Sequence, residues 1–385
     1  MDFISHPYEW SFEQLKAASL HHLDLQLSLI EDDVVLSDSS AFNIQFVGCK
    51  PIFIDFLSMR PYEPGCYWHG HKQFCDEFLN PLLMQSALGI PFNEWYRGTM
   101  RGIETSHLAR ILPWRMAGSL TVLSNVFLQA WLERRAITHA SESLRKTGGL
   151  RPFPKSGYIG LLRQLRGFLG KLKPLREKTR WDSYARCNTY SESESSRKLE
   201  IVKSFVGQLK PRTLIDLGCN SGAFSFAALD AGAQRVIGFD SDVAALNSAY
   251  ETASVSDRNF LAVYQDVFNP SPNQGWLERE RESFSQRVQG CAVIALAFLH
   301  HLVIAKNAPL FEAVRFVVDL APTGIIEFVP KTDSTVQIML ANREDVYPLY
   351  TEEYFSEALR AIANIVRVDE LSPGGRKIFQ FARVD

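Results

Sequence analysis

The stretch Thr213-Leu214-Ile215-Asp216-Leu217-Gly218-Cys219-Asn220-Ser221-Gly222 carries an apolar strand pattern through an acid into a glycine turn. Residues 223–229 then take up a helical pattern. A corner of this kind presents backbone N–H groups to a ligand at a helix start. A dinucleotide site needs the spacing G-x-G-x-x-G, so that a pyrophosphate can approach the backbone. Here Gly218 and Gly222 are four apart, Asn220 stands at the middle-glycine position and Asp216 precedes the turn. An acid at that place repels a pyrophosphate and suits a cationic ligand that carries an amino acid. Asp240 ends the run Val236-Ile237-Gly238-Phe239-Asp240, where a carboxylate can accept both hydroxyls of a ribose. Asp266, in Tyr264-Gln265-Asp266-Val267, can accept an adenine amino group or cap a helix. Proton transfer has its own candidates. His300 and His301 close the run Ala295-Leu296-Ala297-Phe298-Leu299-His300-His301, and an imidazole can take a proton at neutral pH. Glu327, in Ile326-Glu327-Phe328-Val329-Pro330-Lys331, is a third, with Asp333 close behind. These two acids can orient an acceptor or a histidine, or pair with Lys331 or Arg343.

The acid, the two glycines and the acid after the second strand resemble the first motifs of class I methyltransferases dependent on S-adenosyl-L-methionine (SAM). SAM offers a sulfonium and an α-amino group and has no phosphate, which matches the acid before the turn. The resemblance implies that Gly218 lets the backbone approach the methionine part, Gly222 lets the helix pack closely, and Asp216 acts through the turn or a water. Asn220, Asp240 and Asp266 complete the cofactor set. Tyr184, with Arg186 and Tyr190, falls where aromatic and polar residues in such enzymes close over SAM. The segments 188–191, 216–222, 299–302 and 327–331, together with 38–55, are similar to a family of bacterial methyltransferases that includes nodulation-associated proteins. That likeness implies a methyltransferase of a small molecule or glycan and leaves the acceptor open; the acceptor atom is read as a hydroxyl or other heteroatom.

The elements that must position these residues alternate. Strands are read at 213–216, 233–240, 260–265, 291–297 and 324–329, with helical patterns between them. A hairpin over 365–371 and 377–384 closes the chain around Ser372-Pro373-Gly374-Gly375. Strands separated by helices predict an α/β, doubly wound, mostly parallel sheet. The resemblance adds seven strands in the order 3-2-1-4-5-7-6, over residues 181–385. In open sheets of this kind ligands lie beyond the carboxyl ends of the strands, so the cofactor and acceptor meet near His300 and His301.

Two segments precede that domain. Residues 115–180 read as a helical connector; 151–180 carry nine basic residues and one acid, with apolar residues on one helix face. That face docks as a linker helix, or the charge meets an anionic substrate or lipid headgroup. Residues 1–114 hold Asp38, Asn43 five later and Asp55 at the end of an apolar run. This layout resembles the catalytic loop of a kinase-like C-terminal lobe, in which an acid orients a hydroxyl while an Asn and a second Asp hold magnesium. The likeness implies a mainly helical region and an alternative activity, phosphotransfer. Leu36 and Ser37 stand in place of the usual His-Arg, Leu57 in place of glycine, and only 37 residues precede Asp38 for a glycine-rich loop and strand lysine. A non-catalytic SAM-binding scaffold is a further alternative.

The bulk properties narrow the classes. Net charge is −2 and hydrophobic content 46%, ordinary for a globular protein without a field that would draw nucleic acid. The loop after the fourth strand lacks the Asn/Asp-Pro-Pro-aromatic pattern of base-flipping enzymes. No apolar run reaches the ~18 residues of a membrane span. Six scattered cysteines and no signal-peptide pattern predict a reducing, cytoplasmic setting. The cluster Cys66-x2-His69-x-His71-x3-Cys75 lacks the spacing of a usual zinc knuckle, so no metal is expected.

Overall fold

The computed structural model describes residues 3–138, 152–175, 192–288, 290–341, 345–372 and 375–384. The chain forms two compact units, Ile4–Glu177 and Lys178–Asp385, the latter joined by residues 1–3.

The N-terminal unit is mainly helical. Its first long helix, Phe12–Leu29, starts with a reciprocal cap between Ser11 and Gln14. It packs on the helix Lys155–Lys171, where Gln26 donates to the Tyr158 hydroxyl at 2.6 Å and Arg166 pairs with Asp24. In the latter helix Tyr158, Leu162, Leu165 and Leu169 are buried. Two small antiparallel sheets complete the unit. Strand β1 (Val34–Leu36) pairs with β4 (Met59–Pro61), and β2 (Ile44–Val47) pairs with β3 (Lys50–Phe53).

The C-terminal unit is built on one seven-stranded sheet. Its strands are β5 (Leu214–Leu217), β6 (Val236–Asp240), β7 (Phe260–Tyr264), β8 (Ala292–Ala295), β9 (Thr323–Phe328), β10 (Ala363–Glu370) and β11 (Lys377–Arg383). The spatial order is β7-β6-β5-β8-β9-β11-β10. Counted as strands one to seven, that is 3-2-1-4-5-7-6, the predicted arrangement. The first five are parallel, and β11 runs antiparallel to both β9 and β10. Every residue of β5 and β8 is buried, which is why β8 reads as a short unbroken apolar run and β5 as one broken only by Asp216. Helices cover the faces through apolar stripes. In Leu310–Asp319, for example, Leu310, Ala313, Val314, Val317 and Val318 are buried at spacings of three and four. The register of β11 on β9 sets Ile378 opposite Glu327 and so brings Arg376, just before the strand, to the same level.

Candidate functional site

At the carboxyl end of β5 the chain turns through three residues with positive φ: Gly218 at 73°, Asn220 at 49° and Gly222 at 86°. Gly222 is the N-cap of the helix Ala223–Asp230. A Cβ there would lie 2.9 Å from the Phe226 ring, so both conformation and space demand glycine. A Cβ on Gly218 would meet the Phe298 ring at 3.1 Å, which places the loop after β8 against the turn.

The two acids are used differently. Asp216 is buried, and its carboxylate accepts from the Ser225 hydroxyl at 2.5 Å beneath the turn. Burial pushes its carboxyl up to about 7. Asp240, at the end of β6, accepts from the Asn220 N–H at 2.8 Å on one oxygen and from the Asp242 N–H at 2.9 Å on the other. Burial raises it above the usual carboxylate range, against those hydrogen bonds. A carboxylate offers about four lone-pair sites, so the acid is fixed in place while retaining acceptor capacity. A glycine cradle, a turn pinned to Asp240 and a carboxylate with spare acceptor capacity fit the ribose and methionine portions of SAM. Asp266 is half-buried after β7. It accepts from the Phe268 N–H at 2.9 Å in a turn and lies 3.5 Å from Lys306; no helix follows it, so it caps none. Tyr184, Arg186 and Tyr190 lie outside the described residues.

His300 and His301 follow β8 and stand with ring centroids 4.2 Å apart. His300 is fully buried and neither ring nitrogen has a hydrogen-bond partner. Burial first, then the neighbouring His301, Arg376 and Lys198, hold it well below the usual imidazole value. His301 is partly exposed and is lowered to about 4 by burial and by Arg376. Both rings are therefore neutral at pH 7.

Glu327 lies behind them with no exposed surface. One of its oxygens accepts from Lys198 Nζ at 2.7 Å and from the Ala297 N–H at 2.8 Å; the other faces Arg376 at 3.5 Å. Arg376 also grips Asp333 with two nitrogens, at 2.7 and 3.0 Å. Proximity in the chain suggests Lys331 and Arg343 as partners for these acids, and Lys331 is not one of those found. Lys331 pairs with Asp345, and Arg343 lies outside the described residues. The reason is register: Arg376 sits one residue before the β11–β9 pairing and reaches across it. Lys198 is a site residue that motif reading misses, although the sequence carries a signal for it. It is the lysine on a helix stripe whose next members, Ile201, Val202 and Phe205, are buried. Burial pulls its ammonium down to about 8, with Glu327 acting in the opposite direction.

In the N-terminal unit Asn43 bridges the two acids named with it. Its amide donates to Asp38 at 2.7 Å and to Asp55 at 3.1 Å. Asp38 is raised by burial, and Asp55 adds to the rise. Elsewhere in that unit His71 bonds Asn125 at 2.7 Å, and Cys66 faces Glu63. Among the described residues no group of three His, Cys, Asp or Glu side chains could hold a metal ion.

Comparison with known proteins bears on the whole chain. Nodulation protein NoeA of Rhizobium meliloti (strain 1021) is 45% identical over 384 residues, spanning 100% of this chain and 80% of that one. The chain belongs to the NoeA family. Within its C-terminal unit, residues 197–271 match the family model described as Ribosomal protein L11 methyltransferase (PrmA). Ribosomal protein L11 methyltransferase of Tolumonas auensis (strain DSM 9187 / NBRC 110442 / TA 4) is 44% identical over 61 residues, 15% of this chain and 21% of that relative. Among solved structures, magnesium protoporphyrin IX methyltransferase (ChlM) from Synechocystis PCC 6803 with bound SAM superposes with a TM-score of 0.38 and 19% identity, over 54% of this chain and 92% of that one. The matched segment holds the acid–glycine turn and both downstream acids, Asp240 and Asp266. With the strand order, it makes this NoeA-family chain a SAM-dependent methyltransferase. Among the described residues no helix is long and apolar enough to cross a membrane.

Proposed function

We propose that the chain methylates a heteroatom, a hydroxyl by preference, on a small molecule or glycan. The observation that carries this reading is the close, neutral pair His300–His301, rings tilted 38° to each other, at the carboxyl edge of the sheet, one strand over from the glycine turn. When bound, SAM supplies a methyl group on a positively charged sulfur that leaves as a neutral thioether. Asp240 and the turn at Gly218 and Gly222 hold and orient it. His301, the partly exposed member, accepts the hydroxyl proton. A weak base suffices, because the proton becomes strongly acidic as the new oxygen–carbon bond forms. His300 backs the ring of His301, and Glu327 acts as a positioning residue through Ala297. The test is calorimetric and kinetic. SAM should bind, Asp240→Ala should abolish binding, and turnover on a panel of hydroxylated acceptors should follow. Unchanged affinity in that variant sinks the cofactor assignment. Binding without turnover on any acceptor favours the scaffold reading.

A second reading rests on a different observation, the Asn43 amide joining Asp38 and Asp55. Two carboxylates and an amide oxygen are the ligand types of a magnesium-assisted phosphotransferase. Magnesium-dependent ATP turnover that disappears in Asp55→Asn supports it. ATP that neither binds nor turns over removes it.

A further inference from the structure

We propose that the N-terminal unit carries a docking surface for anionic lipid, built on the outer face of residues 105–135. Three consecutive helical stretches, Leu120–Val122, Leu123–Leu128 and Gln129–Thr138, form one continuous rod. One side of that rod is settled: Val122, Val126 and Ala130 are fully buried against the unit. The opposite side is apolar and faces outward. Leu120 is 71% exposed, Leu123 41%, Leu128 47%, Trp131 50% and Leu132 51%, and Trp114 on the preceding turn is 77% exposed. Scattered exposed leucines are ordinary, but a continuous helical face of them marks an interaction site.

The charges beside this face choose the occupant. Arg110, Arg115, Arg134 and Arg135 are exposed along its rim. The single acid in 105–135, Glu133, is turned toward Lys72, 3.5 Å away. Trp114 stacks flat on Phe127 with centroids 5.0 Å apart, and the Arg135 guanidinium lies over Trp131 at 5.2 Å. Between them opens a cleft of about 630 Å³, lined by these rings together with Arg110 and Arg134. Aliphatic leucines on a convex rod have little to offer a sugar. A protein partner would need apolar complementarity along the whole rod. A fluid bilayer accepts such a face without shape matching: leucines enter the acyl boundary, indoles sit at headgroup depth and guanidiniums meet phosphates. The surface would hold the chain to a membrane peripherally.

The full chain should sediment with vesicles of phosphatidylcholine mixed with phosphatidylglycerol. It should do so far less with phosphatidylcholine alone, and binding to the mixed vesicles should fall as salt rises. Arg115→Gln and Arg135→Gln should each weaken partitioning about fivefold, and Leu128→Ser combined with Trp131→Ser should abolish it. All these positions are exposed, so melting temperature and SAM affinity should match the parent and separate a lost surface from a lost fold. Three results would overturn the proposal: vesicle binding unaltered by all these variants, equal binding to neutral vesicles, or an oligomer that Trp131→Ser dissociates while vesicles bind nothing. The last would assign the face to a second copy of the chain.

Discussion

The Glu327 carboxylate accepts a hydrogen bond from the Ala297 backbone N–H at 2.8 Å, tying β9 to the turn that follows β8. Ala297 has φ of 49°, the left-handed region, which costs a residue with a Cβ roughly 1–2 kcal/mol. The next residues are Phe298, against Gly218, and the His300–His301 pair. One buried acid thus holds the strained link between cofactor turn and proposed base, and Lys198 and Arg376 hold that acid.

Glu327→Gln takes the carboxylate from the buried Lys198 ammonium, while Arg376 keeps Asp333. Breaking such a pair from one side costs about 3–5 kcal/mol. Chemical denaturation should show a loss of that size for Glu327→Gln and for Lys198→Ala. The double variant Lys198→Ala, Glu327→Gln should lose clearly less than the two single losses combined. Additive losses would mean that the contact carries no coupling.

Gly222→Ala should destabilise the C-terminal unit by about 1–2 kcal/mol from backbone conformation alone, with more from the clash at Phe226. SAM affinity should fall with it, because the turn carries the Asn220 N–H that pins Asp240. Gly160→Ala is the matching control, since no heavy atom lies within 4 Å of a Cβ there. Equal melting temperatures for the two variants would show that the turn tolerates a side chain.

The folded protein holds a proton on Asp216 up to about pH 7, whereas the unfolded chain releases it near the ordinary aspartate value of 3.8. Between those values the folded state binds more protons, so stability falls as pH rises across the window and levels off above it. The effect of this one residue is on the order of 4 kcal/mol at most. Asp240, also raised by burial, adds the same sign. Asp216→Asn stays neutral and should flatten the slope of urea midpoint against pH from 4 to 7. A parent protein whose midpoint climbs through that window would contradict the burial of Asp216 as a neutral acid.

With His301 at about 4, the acid limb of the kcat/KM profile should fall near pH 4 and leave the rate flat around pH 6 to 7. The double variant His300→Ala, His301→Ala should lose about 10²- to 10⁴-fold in turnover and keep its SAM affinity. An inflection near 6.5 would place the rings in water, and normal turnover in the double variant would remove the base from this loop.

Much of the C-terminal unit is written in local pattern. Short apolar runs separated by amphipathic stripes determine buried parallel strands, because a strand covered on both faces cannot alternate. The acid–glycine turn determines a positive-φ corner, because an L side chain at Gly222 meets the Phe226 ring. Both depend on neighbours in the chain, so the order of residues alone carries them. The partners of Glu327 are of another kind. Lys198 is 129 residues away and Arg376 is 49 away; their meeting depends on how a helix docks and on the register of an antiparallel closing strand. Nor does the sequence tell that His300 is sealed with both nitrogens unpartnered while His301 keeps an exposed edge, since adjacent residues differ there only by how the loop packs. Asp38, Asn43 and Asp55 lie between these cases. Their spacing is legible, but the hydrogen bonds joining them depend on the β2–β3 hairpin folding back. Local chemistry and periodicity determined the elements and the cofactor turn, and long-range register and packing decided which charges meet and which ring reaches the open side.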